Sequence, residues 1–300
     1  MSRIQNTDIT NVAQHQLIAC LEFANETSAR FPVKPTSNSV YFREMHNIDD
    51  CHGDLRIPSQ TIDDIYSRSL GILLPAVSCI LNNLVKVIDE PMQPYGYLIL
   101  GRAALEIIAR TWWLTDQEVN LQMRLSRHFT SYHELLLNQK AMCRTQTEKD
   151  HLDVVIANFK KEALYTGLEP VLNRRGKLIG YGGVVFYKSF KLVEDFLSTL
   201  GRPVEDDWYR SMSGAVHGSE YKIMESMAIE STIFKDRAKL KPMTDLVEVL
   251  YVAELCIESF LEMVSIHARV IGADFDEIAE GRGRILKPLA EIKSSLISHS

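Results

Sequence analysis

Apolar residues recur every three or four positions along most of the chain, the spacing that places them on one face of an α-helix. No stretch alternates apolar and polar residues over a length typical of a strand, and no segment repeats another. The pattern therefore predicts an all-α fold. The predicted helices are 8–29, about 59–90, 95–114, a segment from a cap at Thr115 or Asp116 to about 143, 146–164, 185–200, 205–229, 243–271 and 283–297.

Two segments lack this helical period. Residues 31–58 contain three prolines and indicate an irregular connection, whereas residues 174–190 contain four glycines and indicate a loop or a short hairpin. We therefore expect residues 1–60 to form an N-terminal helix plus an irregular connection, as an extension of the main domain. Residues 61–300 are expected to form a single compact helical bundle.

Composition is that of a globular protein, with 300 residues, 46% hydrophobic and 24% charged. This is enough apolar material for one large core or two small ones. The net charge of −6 argues against binding nucleic acid through the whole surface, although a local basic patch remains compatible with it.

The cysteines and the apolar runs indicate the cellular location of the protein. Five cysteines lie far apart without a C-x-x-C motif, which favours reduced thiols in the cytoplasm over a disulfide framework. The N-terminus is polar, so we expect no secretory signal. The most apolar run, 70–88, is interrupted by Pro75, two asparagines and a lysine, and we interpret it as a core helix rather than a membrane span. We therefore expect a cytoplasmic protein that binds no membrane.

The stretch "YRSMSGAVHGS", 209–219, carries an arginine and a histidine seven residues apart. This spacing is two helical turns, so Arg210 and His217 would share one face, with Ser213 between them. A neutral imidazole can take a proton from a ribose 2′-hydroxyl or give one to a leaving oxygen, and a guanidinium can hold a phosphate. The stretch therefore indicates either metal-free RNA cleavage or a tight helix crossing in which the histidine is a core residue and the glycines serve packing.

A second polar line lies on the helix "GRAALEIIARTWWL". Arg102, Glu106 and Arg110 follow at intervals of four on a helix that is otherwise apolar nearly all round, which is typical of a buried helix. One interpretation is a set of ion pairs within this helix, facing solvent. The other is that the line faces the 209–219 helix, where Glu106 would orient Arg210 or His217.

Together the two stretches resemble the HEPN superfamily (higher eukaryotes and prokaryotes nucleotide-binding), in particular uncharacterised bacterial members with an R-x-x-L-E helix and a later Y-R-x-x-S-x-x-x-H helix. The resemblance covers roughly 95–270. Catalytic HEPN motifs often have four residues between the arginine and the histidine, whereas this chain has six. The residues that carry the resemblance are Arg102, Glu106, Tyr209, Arg210, Ser213 and His217.

The resemblance implies a helical bundle that dimerises and, in active members, cleaves RNA without metal at a composite site. His217 would then be the general base or acid and Arg210 the phosphate clamp, with Ser213 and Tyr209 bonding to ribose, phosphate or the imidazole. Arg102, Glu106 and Arg110 would support these groups. Many such proteins belong to toxin–antitoxin or phage-defence systems, so the implied partners are a second copy, RNA, and an antitoxin or regulatory protein. Other members are non-catalytic binding or scaffold modules, in which the same residues would form a structural polar lock.

A basic segment follows the middle of the chain. Between residues 158 and 191 there are seven basic residues and two acidic ones, with aromatic residues interleaved. This composition suits single-stranded RNA, with phosphates on basic side chains and bases on rings. Arg174, Arg175, Lys177 and Tyr181 are the candidate RNA contacts, and a solvated loop is the alternative.

The stretch "HNIDDCHGD", 46–54, crowds residue types that can bind metal. It has no C-x-x-C, H-x-x-H or H-E-x-x-H spacing, and no second cluster is present in the sequence. We interpret it as a polar turn and expect neither a metal nor another cofactor.

Overall fold

Helices dominate the structure, a computed structural model that describes residues 6–30, 35–46, 59–88, 95–202, 212–213, 227–231, 238–242, 246–273 and 276–297. The predicted predominantly helical class is thereby confirmed. The helices are α1 (Asn6–Ala29), α2 (Val40–His46), α3 (Ser59–Tyr66), α4 (Leu74–Ile88), α5 (Gly96–Thr115), α6 (Leu121–Met142), α7 (Gln146–Tyr165), α8 (Ser189–Thr199), α9 (Leu246–Ile271) and α10 (Asp276–Ile297). The strands are β1 (Pro170–Leu172), β2 (Leu178–Tyr181), β3 (Val184–Val185), β4 (Met227–Ser231) and β5 (Ala238–Pro242).

The main core is built around α5, which packs against α4, α8 and α9. Most of its apolar residues are buried although they point in several directions, as expected for a helix surrounded by others, and Ile99 is the exposed exception at 41%. The N-terminal helix α1 packs against α4, α9 and α10 and contributes Leu17 and Cys20 to the same core. The first helix is therefore part of the bundle.

The crossing of α5 and α9 is unusually close at Gly101. A Cβ atom added there would lie 2.5 Å from Cγ1 of Val252 and 3.6 Å from Sγ of Cys256. The absence of a side chain at this position lets the two helices approach, which also brings the neighbouring Arg102 close to the core.

A second apolar cluster lies between α3, α6, α7 and the three-stranded sheet. Phe129 on α6 lies in this cluster. The centroid of its ring is 4.9 Å from that of the Phe159 ring and 6.2 Å from that of the Tyr181 ring. The end of α9 reaches this cluster through Ile266 and Val270, while the rest of α9 lies in the main core. The two clusters therefore share one helix.

A π segment, Ser67–Leu73, joins α3 to α4. Pro75 follows it and has no amide hydrogen for the carbonyl four residues earlier, that of Gly71, so the regular hydrogen-bond ladder cannot continue there. A local change to the wider π spacing accommodates this loss.

Among the described residues, one stretch, Thr61–Ile88, is long and apolar enough to cross a membrane by length and composition alone. A single stretch of this kind is weak evidence, because a core helix passes the same test. The inner face of α4 packs into the bundle, where Val77, Leu81 and Leu84 are fully buried.

Within the glycine-rich segment 174–190, β2 and β3 form a short antiparallel hairpin, one of the two predicted forms. The strand β1, which lies before this segment, pairs with β2 to complete a small antiparallel sheet, β1–β2–β3. Gly180 in β2 allows the close approach of β3, because a Cβ atom there would lie 1.7 Å from the carbonyl oxygen of Val184. Strands β4 and β5 form a separate antiparallel pair. The predicted helix 205–229 is wrong over 227–229, which belong to β4.

Several predicted boundaries also change. The irregular connection 31–58 contains α2, and α8 begins at residue 189 rather than 185. Helix α6 is capped by Asn120, whose Oδ1 accepts from the Met123 amide at 2.9 Å, rather than by Thr115 or Asp116. The last helix begins at residue 276 instead of 283, and its glycines and Pro288 lie inside it. Tertiary packing thus overrides the local helix-breaking signals there.

Candidate functional site

The polar line on α5 begins with an ion pair between Arg102 and Glu106. Nε of Arg102 donates to Oε1 of Glu106 at 2.7 Å, one helical turn away. The side chains are 16% and 28% exposed, so the pair lies at the edge of the core rather than free in solvent. Partial burial strengthens such a pair relative to one fully surrounded by water.

Arg102 also reaches the second motif. Its Nη1 donates to the Ser213 hydroxyl oxygen at 3.2 Å. Residues 212–213 are helical, and the buried Met212 has its sulfur 3.8 Å from the position of a Cβ on Gly101. The segment that carries Ser213 therefore lies against the Gly101–Arg102 turn of α5, and the polar line faces it at this point.

Three of the predicted catalytic residues, Tyr209, Arg210 and His217, lie outside the described residues. The structure thus brings together Arg102, Glu106 and Ser213 from the predicted set.

The last residue of the polar line, Arg110, pairs with a glutamate on a different helix. Its Nη2 lies 3.4 Å from Oε2 of Glu134 on α6, and the two side chains are about equally exposed. Arg102 and Arg110 stand four residues on either side of Glu106, so the sequence allows either pairing, and the structure pairs Glu106 with Arg102. Glu134 was missed, because no local spacing relates two residues on separate helices.

The α5–α6 corner, at the opposite end of α5 from Arg102, is held by a buried guanidinium that the sequence did not single out. Arg124 is 1% exposed. Its Nε donates to Oε1 of Glu44 on α2 at 3.1 Å, and its Nη1 donates to the carbonyl of Asp116 at 2.6 Å. The Tyr66 hydroxyl donates to the other oxygen of Glu44 at 2.6 Å. This network joins α2, α3 and α6 to the end of α5.

Two histidines of α6 stay neutral inside the second cluster. Burial, followed by the positive charge of Arg68, lowers the pKa of His128 to about 3. Burial, followed by the charge of Lys160, lowers the pKa of His133 to about 4. Near neutral pH neither ring adds positive charge to a site.

Tyr181 does not lie where a base could stack on it. It is 1% exposed, and its hydroxyl lies 2.8 Å from Nδ1 of His133. Its backbone amide donates to the Thr130 hydroxyl at 3.1 Å. The ring is a core element of the second cluster, which corrects the prediction of Tyr181 as an RNA contact.

The other three candidate RNA contacts do lie on the surface. Arg174, Arg175 and Lys177 are exposed at the turn between β1 and β2. Oδ1 of Asn173 accepts from the amides of Arg175 at 2.9 Å and Lys177 at 3.0 Å, and Gly176 has φ of 71°. Within the described part of the chain these three cations form no ion pair. The turn thus presents three positive charges on a fixed backbone.

The polar stretch 46–54 is described only at His46, whose Nδ1 lies 3.0 Å from the Phe42 carbonyl oxygen at the end of α2. Over the described ranges, no group of three histidine, cysteine, aspartate or glutamate side chains is placed to hold a metal ion.

The contacts of Arg102 define the candidate site: one turn of α5 is joined both to Glu106 and to the segment of Ser213. A guanidinium held in this way can fix a hydroxyl or a phosphate oxygen, because its planar donors point in set directions. Comparisons with protein-family models, with curated proteins and with solved structures find no match to this chain.

Proposed function

We propose that the protein is a HEPN-like, metal-independent endoribonuclease of a toxin or phage-defence system, acting in the cytoplasm as a homodimer. The observation that carries the proposal is the hydrogen bond from Arg102 to Ser213. It joins the R-x-x-L-E helix to the Y-R-x-x-S-x-x-x-H segment, the two stretches on which the resemblance rests.

The proposed reaction needs a base, an acid and a phosphate clamp. A neutral His217 takes the proton of a ribose 2′-hydroxyl, whose oxygen attacks the adjacent phosphorus. The bond from phosphorus to the 5′-oxygen breaks, and that oxygen takes up the proton from the imidazolium of His217, which thereby acts first as the base and then as the acid. The products are a 2′,3′-cyclic phosphate and a 5′-hydroxyl. Arg210 holds the non-bridging oxygens as negative charge builds on them.

Ser213 and Tyr209 hold the reacting groups in the proposed site. Because the Ser213 oxygen accepts from Arg102, its own hydroxyl hydrogen is directed elsewhere and can bond to a phosphate, a ribose or the imidazole. Glu106 fixes the arginine by accepting from its Nε. Arg102 and Glu106 therefore act as positioning residues in the proposal.

The β1–β2 turn is the proposed contact for the rest of the RNA chain. Arg174, Arg175 and Lys177 are exposed together there and would bind phosphates through a salt-dependent attraction. A second copy would bring two Arg/His sets together, and an antitoxin or regulatory protein would restrain the activity. These partners follow from the resemblance.

A second candidate is a non-catalytic binding or scaffold module. The observation that favours it is that Arg102 donates to both Glu106 and Ser213 while the three side chains are partly buried. A satisfied polar set of this kind can serve as a structural lock between a buried helix and a neighbouring segment.

The test is RNA cleavage by purified protein in the presence of a chelator, with detection of 2′,3′-cyclic phosphate ends. We expect His217→Ala and Arg210→Ala each to lower the rate by about 100-fold or more. The matched controls are His151→Ala and Arg284→Ala, both at exposed positions. Expression of the wild type and of the two control variants should arrest growth, whereas expression of His217→Ala or Arg210→Ala should not.

The two candidates differ in what the wild type does. Cleavage that is equal in His217→Ala and His151→Ala would remove the catalytic assignment. A folded wild type that leaves RNA intact and causes no growth arrest would favour the binding module.

A further inference from the structure

Helix α7 has a row of exposed apolar side chains on the face opposite to its buried one. Phe159 and Ala163 anchor the helix in the second apolar cluster. On the other face Val154 is 60% exposed and Leu164 is 55% exposed, and the exposed Ala157 lies between them. These three residues are separated by three and seven positions, so they share one side of the helix. Single exposed apolar residues are common, whereas an exposed row on one helix indicates a contact surface.

Charged side chains accompany this row, with acids at one end and bases at the other. Asp150 and Asp153 precede Ala157 by seven and four residues, and Lys160 and Lys161 follow it by three and four. All four are exposed. Because the spacings are close to one or two helical turns, the four charges lie on the same side as the apolar row. The exposed face of α7 is therefore acidic near the start of the helix and basic near its end, with a small residue in the middle.

This order of charges is complementary to itself. A two-fold axis joins two identical surfaces, so that residue i of one copy meets residue j of the other and the reverse. If two copies of α7 pack antiparallel with Ala157 at the axis, the acidic half of one helix lies against the basic half of the other. Asp153 then lies at the level of Lys160 and Lys161 of the second copy. A parallel arrangement would instead set like charges against each other, which is costly.

The charged groups of this face can accept such a partner. Lys160 and Lys161 form an ion pair with none of the described carboxylates. Asp153 pairs with Lys140 on α6, but its side chain remains 54% exposed. A carboxylate accepts several hydrogen bonds, so this pair leaves room for a second cation.

We propose that the exposed face of α7 is a self-association surface, on which a second copy of this chain packs with its own α7 antiparallel. The apolar row supplies the buried contact, and the charges set its direction and register. A contact between two helices is small, so the association depends on protein concentration.

This surface goes beyond the proposed function, in which a second copy meets the segment of Ser213. Met212, next to Ser213, belongs to the main core, whereas α7 packs into the second apolar cluster. The α7 surface is therefore a separate contact between copies. Its test needs no RNA and does not depend on whether the protein is an enzyme.

The experiment measures the mass of the full chain in solution by sedimentation equilibrium over a range of concentrations. One variant reverses the basic half, Lys160→Glu with Lys161→Glu, and another reverses the acidic half, Asp150→Lys with Asp153→Lys. A third variant carries all four substitutions, which exchanges the two halves and restores their complementarity. Loss of the surface pair between Asp153 and Lys140 should matter little to folding.

The matched control is Arg284→Glu with Lys287→Glu. These residues are two exposed cations on α10, so the control makes the same change in net charge away from α7. A circular dichroism melt of each variant shows that it is folded.

We expect each reversed half to raise the dissociation constant by about tenfold or more, because both copies carry the substitutions and like charges then meet twice. The wild-type mass should be twice that of these variants at the same concentration, whether or not a further contact at the Ser213 segment also joins copies. The variant with four substitutions should associate like the wild type, and the control should be unchanged.

A cysteine at the axis tests the geometry directly. Ala157→Cys should form a disulfide between two copies in the presence of diamide, because the two cysteines face each other. Asn158→Cys, also exposed, points about 100° away around the helix and should cross-link far less. The wild type, which has an exposed Cys79, gives the background.

A wild type that keeps the mass of a single chain at every concentration would overturn the proposal. So would reversed variants with the wild-type mass, or a variant with four substitutions that stays as dissociated as its parents. A loss of RNA affinity in Lys160→Glu with Lys161→Glu at unchanged mass would overturn it in favour of RNA as the occupant. Association through α7 by a chain that never cleaves RNA would support this surface and remove the nuclease.

Discussion

Arg102 on α5 donates a hydrogen bond to the hydroxyl of Ser213, 111 residues later in the chain, at 3.2 Å. We expect this bond to couple the two residues energetically. Ser213→Ala should lower the free energy of unfolding by about 1 kcal/mol, and Arg102→Ala by more, because Arg102→Ala also removes the hydrogen bond to Glu106. In urea unfolding, the double variant should lose at least ~0.5 kcal/mol less than the sum of the single losses.

The matched control for this coupling is Arg110→Ala combined with Ser213→Ala. Arg110 lies on the same face of α5 but pairs with Glu134, so its effect should add to that of Ser213→Ala within about 0.5 kcal/mol. If the losses of unfolding free energy for Arg102→Ala and Ser213→Ala also added within about 0.5 kcal/mol, the bond between the two residues would contribute nothing to stability.

The buried Arg124 should be one of the positions most sensitive to substitution. Arg124→Met leaves Oε1 of Glu44 and the carbonyl oxygen of Asp116 without the guanidinium that donates to them, and the Glu44 side chain is only 14% exposed. We expect a loss of about 3–5 kcal/mol in the free energy of unfolding by urea. Arg144→Ala, at an exposed position, should change it by less than about 0.5 kcal/mol. A loss for Arg124→Met as small as that of the control would mean that water reaches the network.

Gly101→Ala should destabilise the crossing of α5 and α9. The added methyl group would lie 2.5 Å from Cγ1 of Val252, so one of the helices must shift, at a cost of about 1–3 kcal/mol. The second substitution Val252→Ala removes the clashing atom. The double variant should therefore unfold at a higher urea concentration than the sum of the single losses predicts, whereas Gly71→Ala combined with Val252→Ala should be additive, because a Cβ at Gly71 meets no atom within 4 Å.

Acid should destabilise the protein through its buried histidines. The folded pKa of His128 is about 3, whereas an unfolded histidine has a pKa of about 6.5. Above pH 6.5 the imidazole is neutral in both states and the effect is absent. As the pH falls from about 6.5 to about 3, only the unfolded chain takes up the proton, and the free energy of unfolding drops by about 1.4 kcal/mol per pH unit for this residue.

This pH dependence is checked by urea unfolding between pH 7 and pH 4. His128→Gln should flatten the curve relative to its own value at pH 7, and His151→Gln, at an exposed position, should leave the slope unchanged. An unaltered slope in His128→Gln would show that His128 takes up a proton in the folded state.

The helical elements were predictable from the sequence because their signal is local. The buried helix α5 could be recognised from apolar residues on most sides, and its polar line placed Glu106 within reach of Arg102 and of Arg110 alike. Strand β4 was not recognised, because a short strand with mixed polarity has no stronger period than a helix end. Tyr181 was assigned to the surface because its neighbours are glycines and cations, although the β2 strand turns its ring inward.

The long-range pairs could not have been predicted in the same way. Glu44 with Arg124, and Arg110 with Glu134, join residues on separate helices, so no spacing in one helix indicates them. The half-buried position of Arg68 depends on the π segment and on the approach of α6. Both are properties of the assembled bundle and not of the stretch around residue 68.

The sharing of α9 between the two apolar clusters has a consequence for how the molecule opens. Neither cluster can lose its packing without exposing part of the same helix, and the cost of that exposure falls on both. Local opening is therefore expected at the ends of the helices and at the β1–β2 turn. The amides in the middle of α9 should exchange with solvent only when the bundle unfolds as one cooperative unit.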